Sequence, residues 1–139
     1  EKNWFVSWHQ DKTVALNQKH DLPGWGPWSL KDSTHHVQPP LEVLNNMVTF
    51  RIHIDASNEE NGCLKVFPCS HKLGLLEQDE INFFVKKEAS FPCVVDAGDA
   101  LIMRPHIVHG SSKAKKPKHR RVIHVEFSCF ELPEGVRWA

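Results

Sequence analysis

The sequence predicts a mainly β protein, a sandwich or barrel of short strands, and three observations carry that expectation. Short runs rich in β-branched and aromatic residues recur along the chain, separated by turn signals. No window shows helical periodicity with start and stop signals at both ends. Two of the runs alternate polar and apolar residues with a period of two, which a strand requires and a helix forbids.

Taken in order, the first candidate strand is Trp4–Asp11. The stretch Lys19–Pro40 follows, with Trp25, Trp28, four Pro and two Gly, and reads as a long ordered loop. Structureless segments of that length in a compact domain are usually functional, so a lid or substrate loop is expected there. Met47–Asp55 is the clearest strand: Val48, Phe50, Ile52 and Ile54 alternate with Thr49, Arg51, His53 and Asp55. The turn Asn58–Gly62 leads to a strand over Cys63–Pro68, and Leu73–Asn82 suits a short helix. Further strands are expected over Phe91–Val95, Ala100–Met103 and Ile107–Gly110. A Lys-rich turn containing Pro117 then leads to the last strand, Arg121–Phe130. There Ile123, Val125 and Phe127 share one face, and Arg120, His124 and Glu126 the other, with Val122 an exception. In a ligand-holding barrel the polar faces line the pocket and the apolar faces pack beneath covering helices. The sequence offers almost no helix for that task, so a further N-terminal part is expected beyond Glu1.

Bulk properties narrow the class. At 139 residues, 40% hydrophobic and 24% charged, the chain is expected to be one soluble domain over 1–139. Its formal net charge is zero, which gives no global field for nucleic acid or an anionic membrane. Lys113, Lys115, Lys116, Lys118 and His119 form one local basic run, read as a solvated loop. No apolar stretch approaches the roughly 20 residues of a spanning helix. Cys63, Cys69, Cys93 and Cys129 lack paired metal spacing and sit in strand-like contexts. Buried free thiols in a reducing, intracellular and cytoplasmic setting are therefore expected. Ten histidines raise the prior for a metal site.

A mononuclear non-haem iron centre needs two imidazoles and one carboxylate on one face of the ion, with the other positions open. H-x-D on a strand supplies two of these, because residues i and i+2 point the same way. His9-Gln10-Asp11 and His53-Ile54-Asp55 both qualify, and His124-Val125-Glu126 is a carboxylate variant. Context favours the first pair, which precedes the long Trp/Pro segment and is followed far along the chain by His109 and then Arg120. An arginine there can fork onto the far carboxylate of a dicarboxylic keto acid from a neighbouring strand. Parity favours Arg120 over Arg121, since Arg120 shares the polar face. His106 is the nearest rival to His109 and is expected to face solvent. Arg51 and His53 are candidate substrate contacts on the barrel wall. His71 either lines the pocket or makes a structural hydrogen bond. Trp25 and Lys31 are candidate lid contacts.

These residues resemble the phytanoyl-CoA dioxygenase family along nearly the whole chain. Trp8-His9-Gln10-Asp11 resembles its W-H-Q-D motif, and Asn61–His71 its N-G-C-L-x-V-x-P-G-S-H segment. Gly98-Asp99 with His109-Gly110-Ser111 resembles its G-D…H-x-S block, and Arg120-Arg121 its closing strand. The resemblance implies a double-stranded β-helix, a jelly-roll or cupin-like core preceded by an N-terminal helical part. It implies Fe(II) on His9, Asp11 and His109, and 2-oxoglutarate on Arg120 assisted by Ser111 and Gln10, with ascorbate as reductant. The activity implied is hydroxylation of a small organic molecule by O2, releasing succinate and CO2. Halogenating relatives lack the metal carboxylate, whereas Asp11 is present. Cys69 departs from the pattern by standing where the family has Gly, a strained choice if that turn needs positive φ. Two other classes compete: a cupin-type oxygenase or isomerase that does not use 2-oxoglutarate, and a catalytically silent binding domain.

Overall fold

The alternation in the longest strand dictates the centre of the fold. In a computed structural model describing residues 5–116 and 118–139, β5 (Met47–His53) pairs antiparallel with β10 (Val122–Ser128) in unbroken register from Met47↔Ser128 to His53↔Val122. Thr49, Arg51 and His53 therefore stand beside Glu126, His124 and Val122 on one face, and Phe50 and Ile52 beside Val125 and Ile123 on the other. β8 (Ala100–Met103) pairs with the opposite edge of β5 and completes a three-stranded sheet, β10-β5-β8.

A second antiparallel sheet has the order β1-β9-β6-β7, from β1 (Val6–His9), β9 (His109–Ser111), β6 (Leu64–Val66) and β7 (Phe91–Pro92). Leu64 and Val66 of this sheet share a buried cluster with Met103, Cys93 and Ile107, and Leu101 packs against it. Apolar burial thus joins the two sheets into a jelly-roll core. The third sheet, β2-β4-β3, comprises β2 (Val14–Leu16), β4 (Thr34–Val37) and β3 (Trp28–Lys31). Its Val14, Leu16 and Val37 pack with Met47 and with Val43 and Leu44 of the short helix α1 (Leu41–Asn45). A 3-10 turn (Ser70–Leu73) and α2 (Gln78–Phe84) follow β6. A capping box between Glu77 and Glu80 starts α2, and Ile81 anchors it against Phe67 and Val108.

The structure changes several expectations. Lys19–Pro40 is not loop throughout, because it contains the β3–β4 hairpin. Asp32 and Ser33 at its tip both have positive φ, as a type I′ hairpin turn demands, so these two residues do the work usually given to Asn-Gly. Strands β2 and helix α1 were not expected. The helix expected over Leu73–Asn82 begins later, and the strand expected over Ile107–Gly110 begins at His109, after a turn in which the Ile107 N–H donates to Arg104. Only Cys63 and Cys93 are buried; Cys69 and Cys129 are exposed, and all four are free. Trp4, the expected start of the first strand, and Pro117 of the Lys-rich turn lie outside the described residues. The apolar face expected to need covering is exposed at Ile52, Ile54, Ile102, Ile123 and Phe127. No helix among the described residues is long and apolar enough to cross a membrane.

Candidate metal centre

β1 and β9 pair with His9 opposite His109, which brings two sequence-distant histidines to one place. Asp11, two residues after His9, turns its carboxylate between them: Oδ1 lies 3.4 Å from His9 Nε2, and Oδ2 lies 3.4 Å from His109 Nε2. One ligand atom from each residue falls within 4.8 Å of the others, and no other such group of His, Cys, Asp or Glu occurs among the described residues. His53 and Asp55 belong to no such group among the described residues.

The imidazoles are oriented by the main chain. His9 Nδ1 is 2.8 Å from the Ser7 carbonyl, and His109 Nδ1 is 2.7 Å from the Ile107 carbonyl. A carbonyl only accepts, so each ring donates from Nδ1 and keeps the Nε2 lone pair for a ligand bond. This donor set fits a divalent transition metal of the two-histidine, one-carboxylate type. Burial pushes the Asp11 carboxyl upward, but His109 and His9 overcome it and hold the group well below the usual carboxylate range. The Asp11 carboxylate in turn raises His9, against burial. His109 is buried while His9 and Asp11 are about one-third exposed, so the centre is open on one side.

Backbone and packing fix these ligands in place. The Asp11 N–H donates to the Pro105 carbonyl. The Ser70 hydroxyl accepts from the Val108 N–H at 2.8 Å, one residue before the distal histidine. Gly110 lets β9 approach β1: a Cβ there would lie 2.9 Å from the Val6 carbonyl oxygen and 3.0 Å from the Trp8 ring.

Gln10, expected to help hold the co-substrate, is buried and committed to main-chain partners. Its amide donates to the Gly74 and His106 carbonyls and accepts from the Leu76 N–H, each at 2.8 Å. Gln10 therefore positions the metal-bearing segment. His106, expected to face solvent, is fully buried, with neither ring nitrogen hydrogen-bonded. Its ring lies 6.0 Å from that of His71 in an edge-on contact.

Ser111 is buried at the far end of β9 from the ligands. Arg120 is half-buried, and burial followed by the nearby Arg51 lowers its affinity for its proton. Arg121 is exposed and forks onto Asp55 through Nε and Nη2, each at 2.9 Å. The two arginines thus differ in burial and in surroundings, Arg120 near Arg51 and Arg121 on Asp55. Arg51 and His53 are on the inner face of β5, and Arg51 is close enough to Asp11 to feel its charge. His124, noted in the sequence only within an H-x-E variant of the metal motif, stands directly across from Arg51. Trp25 packs against the core of the β2-β4-β3 sheet, and Lys31 is exposed at the end of β3. His71 lines a cavity of about 810 Å3 with Met47, Val66, Cys93, Met103 and Ile107. His9, Asp11 and His109 do not line that cavity.

The chain and its fold are similar to those of known proteins. The chain is 30% identical to a methylphosphonate hydroxylase from Gimesia maris over 124 residues, covering 86% of this chain and 45% of that protein. The structure is similar to EvdMO1, with a TM-score of 0.60 at 23% identity over 91% of this chain and 24% of the other. It is also similar to HygX from Streptomyces hygroscopicus with nickel and 2-oxoglutarate bound, with a TM-score of 0.54 at 16% identity over 91% of this chain and 51% of the other. The chain spans less than half the length of the curated relatives it matches. The sequence pattern that defines the phytanoyl-CoA dioxygenase (PhyH) family matches residues 1–122, and with His9, Asp11 and His109 assembled as described, the chain belongs to that family.

Proposed function

We propose that the protein is an Fe(II)- and 2-oxoglutarate-dependent dioxygenase that hydroxylates a small organic substrate. The observation that carries this reading is the convergence of two carbonyl-clamped imidazoles and one carboxylate, open on one side. Iron bound there with 2-oxoglutarate and O2 supplies the oxidising chemistry, releasing succinate and CO2, with ascorbate keeping the metal reduced. The protein's own residues bind and orient. His9 and His109 present Nε2, and Asp11 stays ionised because both histidines stabilise its charge. Arg120 offers the fork for the far carboxylate of 2-oxoglutarate, and Ser111 a hydroxyl in the same barrel interior. Arg51 and His53 on β5, and His71 in its cavity, are the candidate substrate contacts. Trp25 and Lys31 remain lid candidates. The four free cysteines support a reducing, intracellular compartment.

The test is succinate formation from 2-oxoglutarate with Fe(II) and ascorbate, comparing wild type with Asp11→Ala. Iron-dependent succinate from wild type and none from the variant is the expected result. No iron-dependent succinate, or equal amounts from both proteins, overturns the reading. Arg120→Ala separates it from an oxygenase that does not use 2-oxoglutarate, in which the substitution leaves turnover unchanged.

A further inference from the structure

The barrel interior carries a second guanidinium that binding of 2-oxoglutarate through Arg120 leaves unmatched. On the inner face of β5, Arg51 lies between Thr49 and His53 and opposite His124 of β10. Arg51 Nη1 is 3.4 Å from His124 Nδ1, while Arg51 Nε is buried with no hydrogen-bond partner. No carboxylate forms an ion pair with Arg51 among the described residues. The carboxylate on the facing strand, Glu126, is taken up by Thr49 and His124, each at 3.5 Å. Asp11 is near enough for its charge to act on Arg51 but is committed to the two ligand histidines. Beside Arg51, His53 is only 3% exposed and both its ring nitrogens lack hydrogen-bond partners. A half-buried guanidinium and a buried imidazole, both with unspent polar atoms, are costly to leave that way and are completed by an oxyanion.

We propose that the substrate carries an oxyanion (carboxylate, phosphonate or phosphate) that docks on Arg51, with His53 beside it, while Arg120 holds 2-oxoglutarate. The proposal rests on the reading that Arg120 serves the co-substrate. It adds that the substrate is anchored by its charge rather than by apolar fit alone. The same oxyanion chemistry could come instead from the iron-proximal carboxylate of 2-oxoglutarate, so the test separates the two sources.

Inorganic phosphate is titrated calorimetrically into protein loaded with Ni(II) and saturated with 2-oxoglutarate, with dimethyl sulfone as a neutral control. 2-Oxoglutarate affinity is measured separately in wild type, Arg51→Gln and Arg120→Gln. The expected result is phosphate binding in wild type without sulfone binding. Arg51→Gln should weaken phosphate by about 10- to 100-fold, as for loss of a charged hydrogen-bonding partner, and leave 2-oxoglutarate affinity intact. Arg120→Gln should show loss of 2-oxoglutarate binding. Should Arg51→Gln fail to fold by circular dichroism, Arg51→Lys takes its place: it keeps the charge without the fork, so phosphate weakens while 2-oxoglutarate does not. No phosphate binding by wild type, or unchanged phosphate affinity in the folded variant, overturns the proposal. So does loss of 2-oxoglutarate on altering Arg51, which assigns this arginine to the co-substrate. Failure of wild type to bind 2-oxoglutarate at all overturns the dioxygenase reading, and this proposal with it.

Discussion

Cys69 occupies a backbone position made for glycine. It precedes the 3-10 turn with φ 65° and ψ 0°, in the left-handed region where a Cβ crowds the backbone. Its exposed side chain makes no buried contact that would offset the strain. Cys69→Gly is expected to raise the stability by about 1 kcal/mol, the steric relief exceeding glycine's extra freedom in the unfolded chain. Urea denaturation of the two proteins checks this. Asp55 shows the opposite case, a residue whose partner stabilises its charge. The Arg121 side chain and backbone N–H hold its carboxyl well below the ordinary range. A carboxyl with a folded-state pKa below its unfolded value stabilises the fold above the unfolded value, and that contribution disappears as pH falls through the folded one. Asp55→Asn is therefore expected to be less stable than wild type at neutral pH, with the gap narrowing below about pH 4. Urea midpoints across that range measure it. Sequence parity put Asp55 on the polar face of its strand and Arg121 off the polar face of the other, so their pairing, which joins segments far apart in the chain, was not legible.

At the scale of elements, the β1–β9 pair determines the metal centre, and its spacing depends on Gly110. Ala at this position drives a methyl into the Val6 carbonyl and the Trp8 ring, and a backbone oxygen cannot step aside as a side-chain tip can. Gly110→Ala is expected to separate His109 from His9 and weaken metal affinity by about tenfold or more, as displacement of a ligand's support does. Titration with Co(II), followed by its visible absorption, reads this directly. Period-two alternation made β5 and β10 legible. The β3–β4 hairpin was not legible, because its strands are short and polar and its turn lacks a glycine. Gln10's role was hidden for another reason: its partners Gly74, Leu76 and His106 are distant in sequence and offer main-chain atoms, which leave no mark on residue identity.

At the scale of the molecule, two sheets share one apolar cluster, and the chemistry lies where their polar inner faces meet. The grouping of His9, Asp11 and His109 was readable because a site of this type needs three residue types in a fixed order. The burial of His106 was not, since nothing in its neighbours distinguishes a core imidazole from a surface one. The anion site at Arg51 needs the register between β5 and β10, which brings His124 to face it.

The clamps on the two imidazoles have one further consequence. Each histidine hands its Nδ1 proton to the carbonyl two residues earlier on its own chain, at Ser7 and Ile107. Every amino acid brings that carbonyl, so the proton placement is written into the course of the backbone rather than into any neighbouring side chain. The clamps therefore put no demand on the side chains at 7 and 107, and Ile107 is constrained only by its place in the apolar cluster.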